Sequence, residues 1–231
     1  CIRDSLTKVD LSGRNLSSYN LAEAKLIEAI LTNTNLTNAT LTRADLTRAT
    51  MSGATLIGAK LNGAILTEVD LSGRYLGGLD LTGAVLTKTI LTRAFLNDAT
   101  LNGVDLTTAT LNDLNLERAK LIEAKLIGKD LTTVKLAGAD FTRAKLMKAD
   151  LFGTNLSGVD FTNADLSSAD LRNAILSSTD MTEANLERAK LAGARLLNAV
   201  TLRGANLSYV DLSGRVLKRY DLTGTNFSFA T

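Results

Sequence analysis

Leu21-Ala22-Glu23-Ala24-Lys25-Leu26-Ile27-Glu28-Ala29-Ile30-Leu31-Thr32-Asn33-Thr34-Asn35-Leu36 sets the rhythm of the whole chain, a leucine at every fifth residue. Outward in both directions the same column runs unbroken from Leu6 to Leu196, 39 consecutive positions in which only Met51, Phe141, Phe161 and Met181 replace leucine. One residue is then inserted within Leu196-Leu197-Asn198-Ala199-Val200-Thr201, and the rhythm resumes at Leu202, Leu207, Leu212, Leu217, Leu222 and Phe227. The repeat covers the chain, so residues 1–231 read as a single domain with a one-residue insertion near 197–201.

A period of five fits neither regular element. In a helix each step of five turns the side chain by about 140°, which scatters leucine around every face, and in a strand it flips sides each time. A corner must therefore intervene in every five residues. If each pentapeptide is a short extended stretch plus a turn, successive leucines all point inward while the chain winds about an axis as a solenoid.

The other positions agree. Two residues before each central leucine the residue is usually small, as at Ala24, Ala29, Ala39, Ala44 and Ala49, which suits a second inward position with little room. Of the 17 glycines, 16 fall two residues after the central residue and only Gly77 does not, which marks a corner with φ > 0, as in a type II turn. The position between is mostly Ser, Thr or Asn and is read as outward. The absence of proline fits a backbone whose N–H groups are needed in ladders between coils.

The number of sides follows from a longer motif that occurs three times, at Val9-Asp10-Leu11-Ser12-Gly13-Arg14, Val69-Asp70-Leu71-Ser72-Gly73-Arg74 and Val210-Asp211-Leu212-Ser213-Gly214-Arg215. The spacings are 60 and 141, or 60 and 140 once the inserted residue is removed, and both are multiples of 20. Three- and five-sided coils do not satisfy 140. Four pentapeptides per coil give about 11 coils and, at roughly 4.8 Å per coil, a rod on the order of 50 Å long.

The pattern resembles the pentapeptide-repeat family, whose A(D/N)LXX motif stands literally as Ala44-Asp45-Leu46-Thr47-Arg48, Ala164-Asp165-Leu166-Ser167-Ser168 and Ala184-Asn185-Leu186-Glu187-Arg188. The resemblance implies an all-β fold, the right-handed quadrilateral parallel β-helix; the handedness comes from the family, since periodicity gives only a closed square coil.

Composition narrows the function. There is no His or Trp and one cysteine, Cys1, so neither a disulfide framework nor a Cys-based metal site is expected, and no cofactor. Ser and Thr are numerous but sit at repetitive outward positions without a base to activate them, so the chain is read as non-catalytic. A net charge of +2 predicts no direct nucleic-acid binding. The apolar runs are far short of the roughly 20 residues that span a bilayer, which predicts a soluble chain, cytoplasmic or secreted into a host cell. Cys1 opens in the middle of the pattern and reads as a cut end, with a lipidated cysteine as the alternative. Both termini lie in the repeat, leaving sheet edges that invite end-to-end association.

Three surface features stand out. Asp130, Asp150 and Asp170 should stack on one face and Asp140, Asp160 and Asp180 on another. Some members of the family inhibit or protect DNA gyrase with a DNA-like acidic surface, but here Lys120, Lys125, Lys135, Arg143, Lys145 and Lys148 lie among the carboxylates; the simpler reading is that each Asp bonds its local turn. Arg14, Arg74 and Arg215 occupy the usually small inward position on one face, as bulges or as markers of a binding edge. Ile65, Tyr75, Val85, Ile90 and Phe95 sit outward immediately before a central leucine, with Tyr75 and Phe95 stacked beside Arg74. Such a patch predicts a protein partner and a non-catalytic interaction scaffold, such as the target-recognition module of a larger bacterial effector-type protein. A gyrase-directed DNA mimic and a structural spacer are the alternatives.

Overall fold

The computed structural model describes residues 5–196, 200–214, 217 and 220–231. Cys1 and Arg215 fall outside these residues, as does most of the insertion at 197–199. The chain gathers into two compact units, Cys1–Ala119 and Lys120–Thr231. Neither contains a helix among its described residues.

In the first unit the β structure consists of single parallel bridges between residues 20 apart, such as Ser5 to Lys25 to Asp45 and Asn15 to Asn35 to Thr55. A register of 20 with a corner every five residues makes each coil four pentapeptides, as the triple motif requires. The second unit keeps this register through Lys120, Asp140, Asp160 and Asp180, steps by 21 from Asp180 to Thr201 and from Asn185 to Asn206, and returns to 20 at Thr201 to Asp221. The extra residue is absorbed within one coil.

Backbone bonding explains the motif. The central N–H donates to the next coil (Leu21 to the Thr40 carbonyl, 2.8 Å), as does the residue two further on (Glu23 to Thr42, 2.9 Å). The small residue closes the turn (Ala24 N–H to the Leu21 carbonyl, 3.1 Å), and the residue before the central one donates to the preceding coil (Thr40 to Tyr19, 2.9 Å). Only the N–H immediately after the central leucine is left over. An Asp or Asn immediately before that leucine accepts it, as Asn20 Oδ1 does from Ala22 (3.1 Å) and Asp45 Oδ1 from Thr47 (3.0 Å). The acidic or amide residue of the repeat is thus a turn cap.

The leucine and alanine columns are buried from Leu21 to Ala194 and again from Leu202 to Leu207, and half-buried towards both ends, as at Leu6, Leu11, Leu16 and Leu222. Each buried Leu contributes about 1.5–3 kcal/mol, so this core dominates the favourable side of folding. Phe141 and Phe161 stack inside the second unit with centroids 5.5 Å apart. Threonines in the small position are satisfied across coils, Thr34 Oγ1 donating to the Leu11 carbonyl (2.9 Å) and Thr89 to Leu66 (2.8 Å).

Every described residue two after the central one has positive φ, glycine or not, except Thr108 and Thr133. These are the β-branched residues at that corner, and a β-branched side chain strongly disfavours the left-handed region. Corner side chains 20 apart form an alternating charge ladder, Lys8–Glu28 (3.5 Å), Arg48–Glu28 (2.7 Å) and Lys88–Glu68 (3.4 Å). Exposed pairs of this kind contribute little each, roughly 0–1 kcal/mol.

Candidate partner-binding site

Among the expected apolar residues the coil brings two pairs together, Ile65 with Val85 and Tyr75 with Phe95, and only the second is aromatic. Tyr75 and Phe95 are bridged partners on successive coils, their ring centroids 6.5 Å apart and tilted by 34°. Both are about half exposed, at 55% and 46%. Each stands where Asp or Asn would cap the following turn, so an aromatic ring here gives up a hydrogen bond worth about 1 kcal/mol. That exchange has no return in stability at an exposed position.

Gly77, the glycine outside the corner pattern, belongs to this site. Its φ is not positive, and a Cβ built on it would fall 3.1 Å from both Cζ and Oη of Tyr75 and 3.3 Å from the Asn97 carbonyl. The ring of Tyr75 therefore lies on bare backbone. Ile57, 52% exposed, joins Tyr75, Arg74 and Thr55 around a cleft of about 280 Å³. Sequence reading missed it because it follows a central leucine, a position dismissed as outward Ser, Thr or Asn.

The remaining apolar residues stand on other faces of the coil. Ile65 bridges Val85, two corners away from the Tyr75–Phe95 column, and Ile90 lies between Asp70 and Thr110, one corner away. The reason is the period itself, since residues five apart are separated by a corner while only those 20 apart are neighbours.

Arg74 is half-buried. Its Nε donates to the Ser72 carbonyl at 3.4 Å and its Nη1 to the Ala54 carbonyl at 3.5 Å, both long contacts. Among the described residues no carboxylate pairs with it. Arg14 is exposed, and the ladder passes through it undisturbed, with Arg14 N–H donating to Leu11 (3.1 Å) and Asn35 N–H to Arg14 (2.9 Å). Neither arginine is a bulge, because no residue is inserted at either and the 20-residue register to the following coil holds, as at Asp10 to Ile30 and Tyr75 to Phe95. Arg215 lies outside the described residues.

The acidic columns stand as expected, Asp130–Asp150–Asp170 and Asp140–Asp160–Asp180. Each carboxylate is engaged locally: Thr132 N–H donates to Asp130 Oδ1 (2.9 Å), Thr142 to Asp140 (3.0 Å) and Thr162 to Asp160 (2.8 Å). The Thr132 hydroxyl and N–H hold the Asp130 carboxyl below its usual range. The Arg172 guanidinium does the same for Asp170, which it grips at 2.6 Å while Lys190 approaches to 3.8 Å. Lys125 and Lys145 face each other as direct neighbours in an adjoining column.

A second aromatic cluster went unforeseen. Tyr209 and Phe229 stack at 4.8 Å, with the Arg188 guanidinium 4.5 Å over the tyrosine ring, and both aromatics hold the left-handed corner at φ 61° and 59°. The signal was legible as aromatic residues at a position otherwise given to Gly, Asn, Ser, Thr or charged residues. Among the described residues no group of three or more His, Cys, Asp or Glu is arranged to hold a metal ion, and no helix is long and apolar enough to cross a membrane.

The model of the pentapeptide repeats family matches residues 5–43, 34–73, 64–107, 115–151, 149–177, 179–214 and 201–231, in 8 copies. Among solved structures the chain is similar to HetL, a pentapeptide repeat protein involved in heterocyst differentiation regulation from the cyanobacterium Nostoc sp. strain PCC 7120, with 32% identity over 98% of this chain and 86% of that one and a TM-score of 0.38. It is similar to a pentapeptide repeat protein of the Arabidopsis thaliana thylakoid lumen, with 32% identity over 45% of this chain and 72% of that one (TM-score 0.43). A third likeness is to QnrB1, a plasmid-mediated fluoroquinolone resistance protein, in a trypsin-treated form, with 16% identity over 95% and 89% of the two chains (TM-score 0.39). No curated protein matches.

Proposed function

The chain belongs to the pentapeptide repeat family, and from that premise we propose that it is a non-catalytic scaffold that docks a partner protein on the face of Tyr75 and Phe95. The reading takes the coil to be right-handed, as the family resemblance implies, and takes the chain to serve as the target-recognition module of a larger protein. Its main support is the ring of Tyr75 laid on Gly77 beside Phe95, with Ile57 and Arg74 at the edge. Aromatic and Arg side chains held in place on an otherwise polar surface are what interface hot spots are made of. They lose little conformational entropy on binding when already supported.

The test is capture of binding proteins by the wild type beside the Tyr75→Ala plus Phe95→Ala variant. Loss of a captured protein with the melting temperature unchanged is the expected result; undiminished capture sinks the reading.

A second reading, an acidic mimic of DNA, is favoured by one observation, the stacking of Asp130, Asp150 and Asp170. Against it stands the use of the same carboxylates as turn caps and the cations at Arg172 and Lys190. Purified gyrase, assayed for supercoiling with and without the protein, tests this alternative directly.

A further inference from the structure

Within the first unit the longest break in the backbone ladder runs beside Tyr75; a shorter one separates Val85 from Asp105. The register calls for bridges between Thr50 and Asp70, Thr55 and Tyr75, and Lys60 and Asp80, and none forms. One coil earlier, Asn33, Leu36 and Asn38 each donate across to the next coil at 2.8 Å; their counterparts Gly53, Leu56 and Gly58 have no backbone acceptor. The ladder is intact at Arg48 N–H to the Thr67 carbonyl and again at Gly63 N–H to Thr82, both 2.9 Å. The seam is thus a slot closed at both ends.

Two large side chains stand along this slot in the small inward position, Arg74 and Leu79, where the preceding coil carries Ala54 and Ala59. Clefts of about 400 Å³ and 280 Å³ lie along the seam and share Arg74 as a wall. The other charges there have partners: Arg48 pairs with Glu28 (2.7 Å), Glu68 with Lys88 (3.4 Å), and Asp70 accepts the Ser72 N–H (2.8 Å). Arg74 alone has only its two long contacts to carbonyl oxygens.

Unmatched backbone donors and acceptors in a cleft are the groups that an extended peptide satisfies when it adds to a sheet edge. An uncompensated guanidinium beside them selects a carboxylate. We propose that the seam is a strand-accepting site: a short extended segment of a partner protein pairs with the free backbone groups of residues 53–58, sets a carboxylate on Arg74 and lays an apolar side chain against Ile57 and Tyr75. The inference rests on the reading of the Tyr75–Phe95 face as a docking surface, to which it adds a register and a charge preference. A helical segment has no free backbone to offer the slot, and a basic one is repelled by Arg74.

The test uses two acetylated, amidated probes, Thr-Val-Thr-Asp-Val-Thr-Val and the same peptide with Asn for Asp, with amide hydrogen exchange read residue by residue. In the free protein Gly53, Leu56 and Gly58 should exchange at least about tenfold faster than Asn33, Leu36 and Asn38. Saturating Asp peptide should slow them by about tenfold or more, and the Asn peptide or the Arg74→Gln variant should bind at least about tenfold more weakly. Equal protection of both sets in the free protein overturns the proposal, as does equal binding of the two peptides. Protection that grows with protein concentration alone assigns the slot to a second copy and also overturns it. If neither peptide binds while the Tyr75→Ala plus Phe95→Ala variant still loses its partner, the strand site falls and the docking face stands; if that variant keeps its partner, both fall.

Discussion

The ring of Tyr75 rests on Gly77, so closely that a single added methyl group at position 77 would come within 3.1 Å of its far end. Gly77 is thereby explained as a support rather than a corner. Its φ is compatible with any residue, so Gly77→Ala tests the support without straining the turn. We expect a stability change below about 1 kcal/mol and a loss of partner affinity of about threefold or more as the ring is lifted. Calorimetry beside a binding titration measures both; full affinity in the alanine variant would show that the resting place of the ring is immaterial.

Leu116 is completely buried in the leucine column of the first unit. Leu116→Asp places an unpaired carboxylate in the leucine column, and the cost, several kcal/mol, should be felt by the preceding coils of the first unit. Thermal unfolding of the variant should start well below that of the wild type. An unchanged melting curve contradicts the inward assignment of the column.

Lys129 occupies the small inward position, where the neighbouring coils carry alanine, and burial pushes its ammonium pKa down while Asp130 partly opposes the shift. A lysine whose pKa is lower folded than unfolded penalises the fold while charged. Stability should therefore rise as pH climbs through the folded value towards the ordinary 10.5. Lys129→Ala should raise stability slightly at neutral pH, the effect being damped by solvent around a largely exposed ammonium, with the gain shrinking in strongly alkaline solution. A melting series from pH 7 upward checks it, and a destabilised variant would mean that the ammonium is well satisfied where it stands.

Much of this was legible in the sequence, and the parts that were not share a cause. The leucine column, the small second column and the square coil follow from residues five and twenty apart, and the turn caps follow from Asp and Asn preceding leucine. The seam does not, because the repeat runs unbroken through Thr50, Thr55 and Lys60 in sequence while their backbone pairing to the next coil is missing. Tyr75 and Phe95 were paired by their spacing of 20, while Ile65, Val85 and Ile90 were marked only by their place before a central leucine, which does not say on which face each stands. Ile57 was overlooked because it follows a central leucine, a position read as outward Ser, Thr or Asn, although the coil sets it beside Tyr75.

Asp170 joins the turn cap to an ion pair. Its carboxyl is held below the ordinary 3.8 chiefly by the Arg172 side chain, with Lys190 adding to the effect. A depressed folded pKa contributes stability that is present above the unfolded value and is lost as pH falls through the folded one. Asp170→Asn keeps an oxygen for the Arg172 N–H and removes the charge. The variant should be slightly less stable at pH 7, with a smaller further loss between about pH 4 and 2 than the wild type. Parallel acid-unfolding curves for the two proteins would count against the pairing.

The central claim, that Tyr75 and Phe95 face a partner, is tested most directly by site-specific photo-crosslinking in extract. A benzophenone side chain replaces Phe95 in one protein and Asp160, in the acidic column of the second unit, in another. The account predicts a discrete adduct from position 95, suppressed when Tyr75 is also changed to alanine, and none from position 160. An adduct from 160 alone, or from 95 with no dependence on Tyr75, would contradict it.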